Sequence, residues 1–359
     1  MRRQLLDPIG DLSVHNVVAR LGGVQSQVPS SAELAVRVRR RSSRQGEVGR
    51  ALSDGRLIRT WAMRGTLHLL TPETGGAFLS LIAAGRTWER PIWERYFGLS
   101  PKGMQAFRVA AREALDGKAL TRDELAAAVT KKRGLGHVGE ALSESWGTLL
   151  KPLAWQGDLC FGPSRDGRAT FQLPSTASAR WRGMPEPDAA APTVIAAYFT
   201  AYGPATIENF RSWLTRGRVS AKQIRAWFDA ERDRLAEVRI GDRRLLILAK
   251  DVAELAATKP TSAVRLLPGF DQYVLGVGTE DPSVIPAKRR RDVSRQSGWI
   301  APIVVAGGVV TGTWEIDDGR VRVGWFKEAG RPPRGRIGEE VSRLAAILDR
   351  DLGSKIYVA

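Results

Sequence analysis

Three stretches of this chain repeat one order of elements: two helical runs, then two short strand-like runs joined by turn residues. The first closes in ALSDGRLIRTWAMRGTLHLL (51–70), the second in LLKPLAWQGDLCFGPSRDGRATFQL (149–173) and the third in FDAERDRLAEVRIGDRRLLIL (228–248). Helix, helix, hairpin is the winged-helix order, so the repetition predicts tandem units of that kind. The second copy has the strongest local signals. In LTRDELAAAV (120–129) Thr121 stands where a helix would start, and Glu124, three residues on, completes a capping box. PSRDG then separates DLCFG from RATFQL, as a turn joining two antiparallel strands would. In the third copy TVIAAYFTAYGPATIENFRSWL (193–214) is two helices broken at Gly203-Pro204, with Thr206 capping the second. ARWRGMPEPDAAAPT (179–193), rich in Pro and Ala and without a period, is expected to be the linker between the second and third copies.

From about Thr261 the pattern turns β-rich, in AVRLLPGFDQYVLGV and WIAPIVVAGGVVTGTWEIDDGRVRVGWF, before a helix in GEEVSRLAAILDRDL (338–352). EIDDGRV carries an Asp-Gly hairpin turn, and the glycines at 307, 308 and 312 allow sharp curvature, so a small curved sheet or barrel is expected. The fold class predicted is α+β: winged-helix units over 1–100, 101–180 and 181–258, then a C-terminal β-barrel and terminal helix over 259–359.

The 359 residues include 55 Lys and Arg against 38 Asp and Glu, a formal charge of +17. A surplus made mostly of arginine favours polyanionic partners, although a genomic bias towards arginine codons produces the same balance. Cys160 is the one cysteine, which excludes an intrachain disulfide, and DLCFG reads as a small buried apolar site. The opening MRRQLLDPIGDLS lacks an apolar signal core and no stretch nears the roughly 18 apolar residues of a membrane span. A cytoplasmic, nucleoid-associated protein without membrane contact is expected.

The commonest catalytic devices are missing. GLGHVG (134–139) follows the helical, basic AAAVTKKR and not a strand, so it lacks the context of a dinucleotide fingerprint. His15, His68 and His137 lie far apart with no Cys or carboxylate cluster at metal-ligand spacing. Neither a nucleophile elbow nor a Walker loop is present, and no metal or cofactor is expected. Basic residues concentrate in RVRRRSSR (37–44), at Arg59 and Arg64, and in KRRRDVSR (288–295), each either a solvated face or a set of phosphate contacts. In RGTLHLL alternation puts Thr66, His68 and Leu70 on one strand face, which is either a polar wing surface or a group of side chains aimed into a DNA groove. GGVQSQVPSS (22–31) sets two neutral amides, Gln25 and Gln27, one residue apart.

The motifs GGVQSQVPSSAELAVRVR, WAMRGTLHLL, AYGPATIENFRSWL, LLPGFDQYVLG and VVTGTWE, in that order along nearly the whole chain, resemble a bacterial family of tandem winged-helix DNA-binding proteins. That family includes the AlkZ-like and YcaQ-like DNA glycosylases. The resemblance implies a C-shaped protein cradling duplex DNA, and base excision of alkylated purines, in some members of interstrand crosslinks or bulky genotoxin adducts in self-resistance. It also implies a Gln-x-Gln catalytic signature, which Gln25 and Gln27 match residue by residue, with Gln-x-Asp in a sister branch. Ser26 departs from the apolar residue that members often carry between the glutamines, which bears on the substrate subgroup.

A glutamine amide orients water but does not titrate near neutrality, so such a site suits an easy bond. A purine alkylated at a ring nitrogen is already cationic and leaves as a neutral base, needing neither a protonating acid nor a metal. The expectation is a monofunctional glycosylase, a monomer on double-stranded DNA carrying alkylated purines, with the two glutamines positioning the attacking water. Arg37, Arg39, Arg40, Arg64 and His68 are assigned to the DNA face near them, with Arg59 and Thr66 by the first wing. Lys288, Arg289, Arg290 and Arg291 are assigned as a second phosphate contact. The alternative is a non-catalytic winged-helix regulator, which would show a preferred sequence and tolerate loss of Gln25.

Overall fold

The computed structural model describes residues 1–143 and 147–358. The chain forms two compact units, one of Met1–Val48, Ala197–Trp213 and Arg232–Ala359, the other of Gly49–Ala196 and Leu214–Glu231.

In the second unit Leu67–Leu70, Ile58–Trp61, Cys160–Phe161, Thr170–Gln172 and Leu120–Thr121 lie side by side in that order, every pair antiparallel. The hairpins of the first two repeats therefore share one sheet, joined where Arg59 pairs with Phe161. Aromatic rings seal the junction, with Phe161 centred 4.9 Å from Trp61 and 5.1 Å from Phe171. The helix Arg122–Thr130 begins as its sequence dictates: Thr121 accepts from the Glu124 amide while the Glu124 carboxylate accepts from the Thr121 amide. The stretch 179–193, expected to be a linker, is instead packed within this unit. The Pro185 carbonyl accepts from Ser80 Oγ at 2.6 Å, and Asp188 accepts from the Trp227 indole at 2.8 Å. Ala189, Ala190 and Ala191, strong helix formers, belong to the helix Pro187–Tyr202.

The first unit is built on a five-stranded sheet in the order Gly353–Val358, Arg320–Trp325, Val309–Asp317, Ile303–Ala306, Val264–Leu267. Pairing is antiparallel except for the final strand, which adds in parallel. Asp318 and Gly319, at φ 46° and 66°, form the hairpin turn foreseen in EIDDGRV, whose twist matches the strands it joins. The expected β-barrel is not found: among the described residues the first and last strands do not pair, and the sheet stays open. Its two faces are covered in another way. On one, Ile337, Val341 and Leu344 of the helix Arg334–Leu348 pack on Val264, Leu266, Val304, Val321 and Val323. On the other, Leu6, Val38, Phe270, Val274 and Ile285 cover Leu267, Ile303, Val305 and Val310. A sheet buried on both faces by other segments has no need to close on itself.

Gly203-Pro204 breaks the chain between Pro187–Tyr202 and Ile207–Thr215, and Thr206 caps the latter by accepting from the Asn209 amide at 3.0 Å. Tyr198 centres a ring cluster there, 5.3 Å from Phe210 and 4.9 Å from Trp213. Leu235–Ile240 and Arg243–Leu248 form the third hairpin as a separate two-stranded sheet.

Candidate functional site

The two glutamines lie on a short connector held at both ends. The helix Val14–Arg20, capped by Ser13, ends at Leu21, and Gly22 and Gly23 then turn the chain at φ 61° and 112°, values that exclude most side chains. Val24–Gln25 is extended, and Pro29, whose fixed φ suits a first helical position, opens the helix Pro29–Arg37. Gln25 is 5% exposed and Ser26 1%, while Gln27 is exposed. The connector thus offers one interior amide and one open to solvent. The Ser26 hydroxyl, buried between them, has no hydrogen-bond partner among the described residues, so nothing there calls for a polar side chain.

The same compact unit supplies the supports that fix the connector. The Tyr202 hydroxyl donates to the Leu21 carbonyl at 2.5 Å and lies 3.4 Å from Gln272 Oε1. Behind the following helix, the Arg39 guanidinium is bidentate on Asp271, at 2.7 and 2.8 Å, and donates to the carbonyls of Ala35 and Gln4. Asp271 also accepts from the Tyr273 amide, capping Gln272–Leu275. Sequence reasoning missed Tyr202, Asp271 and Gln272 as supports. The one signal was a lone Asp in the apolar run LLPGFDQYVLG.

The structure revises most of the arginines assigned to DNA. Arg39 is fully buried in its pair with Asp271 and cannot reach a phosphate, which corrects that assignment. Arg37 is buried too, donating to Ser43 and to the Ile347 carbonyl. Arg40 is paired with Glu47 and donates to the Leu12 carbonyl. A basic run thus serves internal packing. Arg59 is half-buried over the Phe161 ring, 4.8 Å from its centre, and burial lowers its pKa. Arg64 is buried at a positive φ of 58°, and Thr66 donates to the Met63 carbonyl. In the 288–291 run Arg289 is held by Glu328, whose carboxyl it brings down to about 2, and Arg290 by Glu280, while Lys288 and Arg291 are exposed.

His68 is also corrected as a groove contact: it is fully buried, because all four residues of Leu67–Leu70 are covered in the shared sheet. Its Nδ1 donates to the Thr66 carbonyl at 3.0 Å, and Nε2 has no partner among the described residues. Burial, reinforced by the Arg64 charge, pushes the imidazole down to about 3. The unfolded chain, with an ordinary histidine near 6.5, takes up a proton that the folded one refuses, so acid removes stability below that value. The unfolding free energy from urea titrations is expected to fall from about pH 7 to pH 5 by up to about 1.4 kcal/mol per pH unit, and His68→Leu to remove that slope. An equal slope in the variant would refute the assignment.

Among the described residues no group of three His, Cys, Asp or Glu side chains could hold a metal ion. Cys160 is buried and its thiol pushed up by burial, as a small core residue.

The sequence profile of the family described as DNA glycosylase AlkZ-like matches residues 18–347. The chain belongs to the AlkZ-like DNA glycosylase family. A relative from Streptomyces sahachiroi, named interstrand DNA cross-link repair glycosylase, is 45% identical over 346 residues, 96% of this chain and 93% of the relative. The solved structure of Streptomyces sahachiroi DNA glycosylase AlkZ matches with a TM-score of 0.96 at 44% identity, covering 99% of this chain and 97% of that one. The family expected from five ordered motifs is thereby established, and with it DNA glycosylase chemistry and a DNA substrate. Among the described residues no helix is long and apolar enough to cross a membrane.

Proposed function

We propose that this chain, acting as a monomer, hydrolyses the N-glycosidic bond of cationic N-alkylated purines in duplex DNA, including purines crosslinked between strands. Gln25 and Gln27 position the water. The observation that carries this reading is the pair of amides, one interior and one exposed, on a connector fixed by Gly22-Gly23 at one end and Pro29 at the other. The relative's name, an interstrand DNA cross-link repair glycosylase, supports the wider substrate range.

The chemistry asks little of the protein. As the glycosidic bond from C1′ to N9 of the purine lengthens, its electrons return to the ring and cancel the positive charge that alkylation at another ring nitrogen had placed there, so no acid is required. Oxocarbenium character builds on the sugar, and amide oxygens aimed at it stabilise it. The water oxygen bonds to C1′ and its proton passes to solvent, leaving an abasic site. The monofunctional assignment follows, since water and not a lysine amine attacks. Lys288 and Arg291, exposed, are retained as phosphate contacts.

The test is single-turnover release of 7-methylguanine from a methylated duplex, followed by unhooking of a crosslinked duplex. Release of free base is the expected result. No release from either duplex, together with a preferred binding sequence, would replace this reading with that of a DNA-binding regulator.

A further inference from the structure

We propose that Arg218, with Lys151, Arg90 and Arg216 around it, forms a binding site for a backbone phosphate of the DNA duplex. The proposal rests on the DNA-acting reading above and assigns residues that neither the basic runs nor the glutamine motif pointed to.

The site is built within the second compact unit. Arg216 and Gly217, both at positive φ, turn the chain out of the helix Ile207–Thr215 and set Arg218 on the turn, with its amide bonded to the Thr215 carbonyl. The guanidinium lies over the Trp155 ring, 5.5 Å from its centre. It also packs against Gly65, where a Cβ would fall 2.9 Å from Nη1. Ring and backbone fix the fork in place, yet its Nη1, buried, has no hydrogen-bond partner among the described residues.

The other three cations gather at the same place. Arg90 donates to the Arg218 carbonyl at 3.3 Å. Lys151 is half-buried, and its pKa is lowered first by burial and then by the Arg218 charge. Arg218 is lowered by burial, then by Arg216 and Arg90. None of the four is ion-paired with a carboxylate among the described residues, in contrast to Arg289 and Arg290. Like charges pressed together around an unsatisfied buried donor oppose folding, unless an anion completes the site. A phosphodiester fits: its two free oxygens match a guanidinium fork, and one negative charge relieves repulsion among four positive ones.

The experiment compares Arg218→Gln and Lys151→Gln with Arg336→Gln, an exposed arginine outside the cluster, in binding of an undamaged duplex across a salt series. Each cluster variant is expected to lose roughly tenfold in affinity and to lower the slope of log K against log salt by about one, with the control unchanged. Arg218→Gln is also expected to unfold at no lower urea than the native chain, because a ligand-binding cation differs from a structural one in that respect. Should Arg218→Gln fail to fold, Arg218→Lys keeps the charge and loses the fork, and is expected to bind between native and Arg336→Gln on one side and Lys151→Gln on the other. Native-like affinity and slope in the cluster variants would overturn the phosphate site while leaving the DNA reading intact. Failure of the native chain to bind any duplex would instead overturn the reading on which the site depends.

Discussion

Gln25→Ala and Gln27→Ala are each expected to slow release of alkylated base by about 10²–10⁴-fold in single turnover, with duplex affinity unchanged. The size follows from the proposed role, in which each truncation would free a water held at the sugar carbon and remove an oxygen dipole aimed at the developing charge. If both amides hold the same water, the double variant should be scarcely slower than either single one, because groups acting as a unit are not additive. Gln25 is the more buried of the two, so its variant is also checked for urea midpoint, and the rate is read where the protein is folded. The amides impart a further signature. Neither titrates, so the native rate should be flat through neutrality, whereas Gln27→Asp should keep part of the activity and acquire the pH dependence of a carboxylate. Native rates in both alanine variants would remove the glutamines from the mechanism.

Features legible in the sequence were those set by near neighbours. The capping box at Thr121 and Glu124, the Thr206 cap and the Asp318-Gly319 turn each depend on residues within one turn of the chain, and each is found. Features set at a distance were not legible. Alternation along Leu67–Leu70 distinguishes two faces but is silent on what covers them, and the pairing of Arg59 with Phe161 that merges two hairpins leaves no local trace. The final strand, Gly353–Val358, is mostly exposed and joins in parallel at an edge, so it shows no alternation to read. A barrel was expected because curvature signals are local, whereas the covering helix declares itself only through packing. Charge misled most. Arg37 and Arg39 sit in a run that reads as surface, yet Asp271, which claims Arg39, lies in a distant apolar segment. The reverse error hid Arg218, an arginine outside any run. The glutamines themselves carried no charge, periodicity or metal spacing, and entered through the motif alone.

Asp271→Ala is expected to cost about 3–5 kcal/mol of folding stability, the loss typical when one partner of a buried ion pair is removed and the other stays buried. Both side chains are fully shielded from solvent, and turning Arg39 outward would also break its bonds to the Ala35 and Gln4 carbonyls. The carboxylate has a second duty, accepting from the Tyr273 amide, and its loss leaves that donor uncapped as well. Arg39→Met is expected to destabilise by a similar amount, for here Asp271 is stranded. The double variant Arg39→Met with Asp271→Leu separates the two contributions. With both charges gone, it should recover much of the loss, since an apolar pair of similar volume is often as stable as a buried ion pair. A double variant no better than Asp271→Ala would instead mean that the geometry of the fork, which ties Gln4, Ala35 and Asp271 to one point behind the glutamine connector, matters more than the charge it carries. In that event base release by the folded double variant should fall as well, because the segment that follows Gln27 would have lost its anchor.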